Sequence, residues 1–123
     1  MRPFRAGLLA LPEEVSALRR AVRAHLDAPC HDLQLCVSEL VGNVIVHVGE
    51  GTPVSLAVTR TPDGRTRVEV SDPDPRVWPV LRRATDTDES GRGLAVLDAV
   101  ATRWGVHAGP TGGKTVWAEL ANP

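Results

Sequence analysis

The stretch Ser38–His47, SELVGNVIVH, is mainly apolar but places Glu39, Asn43 and His47 four residues apart. Residues four apart lie on one face of an α-helix, so these three side chains would form a polar line along an otherwise apolar helix. Burying an amide without a partner costs about 2–7 kcal/mol, and a lone carboxylate costs more. The pattern therefore predicts a helix with one face towards a polar site inside the fold.

A strand is the alternative for the second half of this stretch. Between residues 43 and 48 the valines alternate with other residues, and β-branched side chains favour a sheet. The apolar residues between 33 and 41 follow a helical period, however, and no turn separates the two halves. We therefore expect one helix from about residue 31 to residue 48, ended by Gly49.

Composition and charge limit the classes of protein to consider. The chain has 123 residues, of which 42% are hydrophobic and 24% are charged, as expected for one compact domain over residues 1–123. Its formal net charge of −1 argues against direct binding of nucleic acid through the phosphate backbone. No apolar run approaches the ~18 residues of a membrane helix, and no secretory leader begins the chain. We expect a cytoplasmic protein without a membrane partner.

Apolar periodicity predicts the remaining elements. Helices are expected over 12–26 and 93–104, the latter with Trp104 on its apolar face and Gly105 as its C-terminal cap. Alternating segments predict strands, the first two of them joined by a turn; the expected strands are 53–60, 65–71, 106–108 and 114–120. The predicted fold class is α+β, a two-layer α/β sandwich with a mixed, mostly antiparallel sheet and three main helices on one face.

Two local motifs point to other chemistry. The GGKT at 112–115 resembles the end of a P-loop, but that motif needs a glycine at 108 and a following helix, whereas this chain has Ala108 and an alternating segment. Cys30, His31 and Cys36 are metal-binding residue types. Adjacent residues point about 100° apart on a helix, and no second cysteine pair completes a tetrahedral set. A strand and ordinary buried cysteines explain these segments better.

The polar line of the 31–48 helix has a chemical interpretation. Mg²⁺ that is bound together with phosphates is coordinated by oxygen atoms, of which only one or two come from the protein. The side-chain oxygen of Asn43 could be one of these ligands. Glu39, one turn away, could polarise a hydroxyl or water aimed at a terminal phosphate. The helix would then face a metal and a phosphate chain.

Two further segments fit a nucleotide. Ser90–Leu94 ends a long loop and opens a helix, which directs free backbone N–H groups towards an anion. Asp72, at the end of a predicted strand, could accept a hydrogen bond from the amino group of a base, although Asp-Pro is also ordinary turn chemistry. Each feature is common alone, and their order along the chain carries more information.

In this order the segments resemble the motifs of the GHKL ATPases with the Bergerat fold, a superfamily that includes the histidine kinases. The resemblance is closer to the small anti-sigma factor serine/threonine kinases, and it extends over almost the entire chain. The matching segments are the N box SELVGNVIVH, the first glycine-box region VEVSDPDPR, the second box ESGRGLAVLDAVATRWGV and the closing strand GGKTVWAEL. The resemblance implies a histidine-kinase-like fold that binds ATP and Mg²⁺.

The resemblance also implies roles for individual residues. Glu39 corresponds to the general base, Asn43 to the Mg²⁺ ligand and Asp72 to the aspartate that recognises the adenine amino group. The loop from about residue 73 to residue 90 would be the ATP lid. The remaining nucleotide-binding positions are His47, for which a structural role is the alternative, and Gly91, Arg92, Gly93, Leu94 and Thr115.

Two functions follow from the resemblance. The first is a protein serine/threonine kinase that phosphorylates an anti-sigma factor antagonist and holds a sigma factor, with a homodimer left open. The second is a non-catalytic module that regulates by sequestering a partner. Glu39 favours the first function, whereas Asp74 and Arg76, which replace glycines of the family's first box, favour the second. A small-molecule ATPase is less expected, because so short a chain leaves little surface for a substrate pocket.

Overall fold

The computed structural model describes residues 2–26, 30–75, 96–109 and 112–121. In chain order its elements are β1 (Phe4–Leu9), α1 (Pro12–Leu26), α2 (His31–His47), β2 (Pro53–Arg60), β3 (Thr66–Asp72), α3 (residues 96–100 described), β4 (Arg103–Ala108) and β5 (Lys114–Leu120). Among these residues, no helix combines the length and the apolar composition needed to cross a membrane.

α1 forms where its sequence carries a helix start and an apolar stripe. Pro12 stands first in the helix, and Glu13 and Glu14 occupy the first turn, where the positive end of the helix dipole favours carboxylates. Leu18 and Val22, one turn apart, are the buried residues of this helix. The predicted helix over 12–26 is therefore confirmed.

α2 is helical from His31 to His47, so the helix predicted for the opening stretch is confirmed and the strand alternative is wrong. Burial of one large apolar side chain contributes roughly 1.5–3 kcal/mol, which makes this helix a main source of stability. Burial also raises the pKa of the Cys36 thiol to about 12, as expected for an unreactive core cysteine. The buried apolar residues recur at helical spacing and are Leu33, Cys36, Val37, Leu40, Val41 and Val44.

The strands form one sheet in the order β1-β2-β3-β5-β4, and every pairing in the described part of the chain is antiparallel. Side chains alternate between the two faces of the sheet, and the helix-facing side carries the core residues Val68, Val70, Val116 and Ala118. The helices pack over this side. The predicted α+β class, a two-layer sandwich with three helices, is confirmed. The sheet was expected to be mixed, but its described strands are all antiparallel to their neighbours.

The third helix and the strand after it differ from the prediction. The helix was expected over 93–104, but residues 96–100 are the described helical part, and Trp104 and Gly105 lie within β4. The Thr102 N–H already donates to the Glu119 carbonyl oxygen at 2.7 Å, and pairing with β5 continues from Arg103. Backbone pairing with β5 therefore overrides the helical spacing of this segment. Residues 93–95, including Leu94, lie outside the described residues.

β1 was not predicted from the sequence. Its residues alternate only between half-buried and exposed, so its local pattern is weak. It is a strand because Phe4–Leu9 pairs antiparallel with β2 along its whole length. The edge of the sheet is therefore decided by a partner that lies far along the chain.

On the sheet face opposite the helices, Glu119 is held between two arginines. Its carboxylate accepts hydrogen bonds from Arg67 Nη1 and Arg103 Nε, each at 2.7 Å, and its side chain is 3% exposed. The Arg67 guanidinium lies 4.2 Å from the centroid of the Trp117 ring, which adds a cation–π contact. This cluster joins β3, β4 and β5 side by side.

We expect Glu119→Gln to lower stability at neutral pH and to matter less in acid. Hydrogen bonds from Arg103, and then from Arg67, hold the pKa of Glu119 below its usual range despite burial. A carboxyl group of this kind stabilises the fold above its unfolded-state pKa of about 4.3, and that contribution is lost as the pH falls through the lower folded-state pKa. Urea titrations should show the difference between variant and wild type shrinking in acid. A difference that does not change with pH would contradict this account.

Candidate functional site

A buried ion pair lies at the end of β3. Asp72 and Lys114 are partners in the β3–β5 pairing, and their side chains are 0% and 2% exposed. Lys114 Nζ lies 3.0 Å from Asp72 Oδ1, and the backbone N–H of Asp74 donates to the same oxygen at 2.8 Å. Lys114 Nζ also donates to the Asp74 carbonyl oxygen at 3.1 Å. Asp72 Oδ1 is thus held by two donors that come from two different segments.

The second oxygen of this carboxylate has a different environment. Asp72 Oδ2 is buried and accepts no hydrogen bond from the residues that the structure describes. A buried polar atom without a partner costs about 1–3 kcal/mol, so such an atom is a candidate contact for a ligand or water. An ionised carboxylate oxygen can only accept, which makes an amino group a suitable partner.

Gly113 lets β5 approach the end of β3 closely. A Cβ atom at position 113 would lie 2.9 Å from Pro73 Cα and closer still to the Asp72 carbonyl oxygen. Both neighbours are backbone atoms, so a side chain here would require the strands to move apart. Glycine at this position is therefore what allows Asp72 and Lys114 to lie opposite each other at the strand ends.

α2 contributes a second group of polar side chains. Glu39 is half-buried, and burial raises the pKa of its carboxyl group, which makes its ionised form a stronger base. Asn43 is 5% exposed, and its Nδ2 lacks a hydrogen-bond partner within the described ranges. Rotation exchanges the nitrogen and oxygen of a side-chain amide, so either atom can face a ligand. His47, the last residue of α2, is half-buried.

The two groups lie on the same side of the sheet, one on α2 and the other at the strand ends beneath it. α2 packs against β3 and β5, on the face of the sheet that carries Asp72 and Lys114. Thr115 lies on the opposite face, where its Oγ1 is 2.7 Å from Ser71 Oγ, so its side chain is not part of the group around Asp72. The predicted positions Gly91, Arg92, Gly93 and Leu94, and lid residues 76–90, lie outside the described residues.

Lys114 was missed from the sequence, although one signal for it was present. In β5 it has the same parity as Val116, Ala118 and Leu120, all of which face the core. A lysine at an inward-facing position needs a buried anion, but nothing local identifies that anion as Asp72. Residues 114–120 form a strand rather than a helix, which excludes the P-loop alternative for this segment.

Comparison with known proteins decides the family. Residues 8–120 match the sequence profile of the histidine kinase-like ATPase domain. The chain belongs to this family. Both polar groups, the one on α2 and the one around Asp72, therefore lie within a histidine kinase-like ATPase domain, and ATP is the ligand that this family membership implies.

Two known proteins are similar to this ATPase domain. Over 72 residues it is 58% identical to the uncharacterized protein SCO4941 of Streptomyces coelicolor, a match that covers 58% of this chain and 69% of that protein. The crystal structure of the RsbU and RsbW domains of Rv1364c from Mycobacterium tuberculosis has the same fold, with a TM-score of 0.70 over 100% of this chain and 21% identity. This chain spans 34% of that crystallised chain, and the likeness concerns the fold alone.

Proposed function

We propose that this ATPase domain is a regulatory protein serine/threonine kinase of the cytoplasm. It binds ATP with Mg²⁺ and phosphorylates an anti-sigma factor antagonist in a partner-switching system, with a sigma factor as a second partner. The observation that carries the proposal is the buried Asp72 carboxylate, which has one oxygen held and the other without a partner among the described residues. It lies on the side of the sheet that packs against α2, the helix that contains Glu39 and Asn43. The choice of a protein substrate rests on the resemblance of the N box and both glycine boxes to the anti-sigma factor kinases.

In this proposal Asp72 recognises the base. Adenine carries an amino group at the position where guanine carries an oxygen. Asp72 Oδ2, buried and without a partner among the described residues, would accept a hydrogen bond from that amino group and would repel the guanine oxygen. Binding of ATP would thus satisfy a polar atom that the described residues leave unpaired.

Asn43 and Glu39 serve the phosphate end of the nucleotide. The Asn43 amide oxygen would hold Mg²⁺, which offsets the charge of the phosphates when it is bound. Glu39, whose pKa is raised by burial, would accept the proton of a serine or threonine hydroxyl on the antagonist. The hydroxyl oxygen bonds to the γ-phosphorus as it loses this proton. The bond from that phosphorus to the oxygen of ADP breaks, so ADP leaves and the antagonist carries the phosphate.

We expect Asn43→Ala to weaken ATP binding about tenfold or more with Mg²⁺ present, and to weaken it much less in EDTA. The substitution removes an oxygen ligand of the metal, so its effect should require the metal. Calorimetric titration of the purified protein under both conditions measures the difference. Gln34→Ala is the matched control, because it removes an amide from the same helix that instead donates to the Arg19 carbonyl oxygen at 3.0 Å. Equal weakening by Asn43→Ala in both conditions would contradict a metal-binding role.

A non-catalytic module that sequesters a partner is the second candidate. It is favoured by Asp74, a charged residue where the family has glycine, which lies against the buried pair through its backbone. Presenting candidate antagonists to the protein with ATP labelled at the γ-phosphate separates the two functions. Transfer of label supports the kinase. Binding of both ATP and antagonist without transfer supports the sequestering module, and a wild-type protein that does not bind Mg-ATP would overturn the kinase proposal.

A further inference from the structure

Lys114 is a buried cation in a strand whose other core-facing residues are apolar. Its side chain is 2% exposed, and the residues of the same parity include Val116 and Ala118. Desolvating an ammonium and a carboxylate costs several kcal/mol, and replacing such a pair by apolar residues is often neutral or stabilising. Stability alone therefore does not explain a lysine at this position, and its contacts with Asp72 suggest another role.

These contacts select one orientation of the Asp72 carboxylate. The χ2 torsion of aspartate is broad, so the plane of the carboxylate can turn unless one of its oxygens is held. Lys114 Nζ at 3.0 Å and the Asp74 N–H at 2.8 Å both hold Oδ1, and rotation of the carboxylate would break both hydrogen bonds. The bond from Lys114 Nζ to the Asp74 carbonyl oxygen ties the segment after β3 to the same point. Oδ2 is left as the acceptor without a partner in the described part of the chain.

We propose that Lys114 is a positioning residue that determines base specificity. It holds Asp72 Oδ1 and balances the carboxylate charge, so that an ionised Oδ2 meets the amino group at position 6 of the purine. This inference rests on the proposed function, because it takes ATP as the ligand. Lys114 acts on the base through Asp72 and needs no contact with the base itself.

The consequence of removing the ammonium follows from the cost of a lone buried charge. A buried carboxylate without its counter-charge turns to another partner or admits water. Either change removes the fixed acceptor that distinguishes an amino group from an oxygen at position 6. Selectivity for the amino group is then lost, even where the nucleotide still binds through its phosphates.

The test compares triphosphates with different groups at position 6 of the purine: ATP with an amino group, ITP with an oxygen and purine riboside triphosphate with hydrogen. One hydrogen bond to a charged group corresponds to about 10- to 100-fold in affinity, so wild type should prefer ATP over purine riboside triphosphate by this factor and bind ITP still more weakly. Lys114→Met should bring the preference for ATP over purine riboside triphosphate to within a few-fold of one. Lys114→Arg should restore most of this preference. Calorimetric titrations with Mg²⁺ supply the dissociation constants.

Two further variants make the test specific. Arg103→Met also removes a cation from a buried carboxylate, that of Glu119, but on the opposite face of the sheet, so the base preference should stay at the wild-type value. The double variant Asp72→Asn with Lys114→Met removes both charges. It should retain the folded circular-dichroism spectrum even where Lys114→Met alone loses that spectrum. Its base preference should equal that of Asp72→Asn alone, since Lys114 acts through Asp72.

The outcomes separate this inference from the proposed function. Loss of the preference in Lys114→Met, with recovery in Lys114→Arg, supports the inference. Weaker binding of all three nucleotides by Lys114→Met, with the preference unchanged, would show a merely structural lysine and overturn the inference while ATP binding stands. An additional loss of preference when Lys114→Met is added to Asp72→Asn would also overturn it. A wild-type protein that binds none of the three nucleotides would overturn both proposals together.

Discussion

Replacing Glu39 with glutamine should lower phosphoryl transfer to an antagonist protein by about 10²-fold or more, while the Kd for Mg-ATP changes by no more than about fivefold. Glutamine keeps the size of the side chain but cannot accept the proton of the attacking hydroxyl. If Glu39 acts only on that hydroxyl, nucleotide binding survives and the chemical step is lost. Single-turnover transfer from labelled ATP and calorimetric titration of Mg-ATP measure the two effects separately.

The same carboxyl group should appear in the pH profile of transfer. Burial raises the pKa of Glu39 above its ordinary value of about 4.3. A general base works when it is deprotonated, so the wild-type rate should fall as the pH decreases through this raised pKa, and the residual rate of Glu39→Gln should lack that fall. Glu50→Gln is the control, because Glu50 is an exposed carboxylate shortly after α2. Near-normal transfer by Glu39→Gln would remove Glu39 from the mechanism.

Replacing Gly113 with alanine should lower the free energy of unfolding by about 3 kcal/mol, because the added methyl group meets backbone that cannot move without separating two strands. The new Cβ would lie 2.9 Å from Pro73 Cα and closer still to the Asp72 carbonyl oxygen. Separation of β5 from the end of β3 should also break the contact between Lys114 and Asp72. We therefore expect weaker ATP binding together with the lower stability, measured by urea unfolding and by titration.

Gly42→Ala is the control for Gly113→Ala, because we expect this variant to raise the free energy of unfolding rather than to lower it. Gly42 lies inside α2, and a Cβ atom there would have no neighbour within 4 Å. Alanine is favoured over glycine in a helix by about 1 kcal/mol, so this variant should be slightly more stable than wild type. A Gly113→Ala protein with wild-type stability would show that the strand ends tolerate separation, and that the close approach is not needed.

α2 and its polar line could be predicted from the sequence because both depend on spacing within one element. The apolar residues of α2 recur at the helical period, and the same period brings Glu39 and Asn43 to one face. The strands β2, β3 and β5 also followed from local alternation and turn residues, to within a residue of their observed ends. The order of the N box and glycine boxes pointed to the family that residues 8–120 match.

Four features depended on contacts between distant segments and could not be predicted from local pattern. β1 is a strand because β2 lies beside it, and residues 103 and 104 leave the helical pattern because β5 offers them backbone partners. Thr115 fits the family motif by position, and its side chain contacts Ser71 only because the β3–β5 register places these two residues opposite each other. Lys114 and Asp72 lie 42 residues apart in the chain and meet only through the β3–β5 register. Local periodicity determines which face of an element a residue occupies, but only backbone pairing between strands determines which residue lies opposite it.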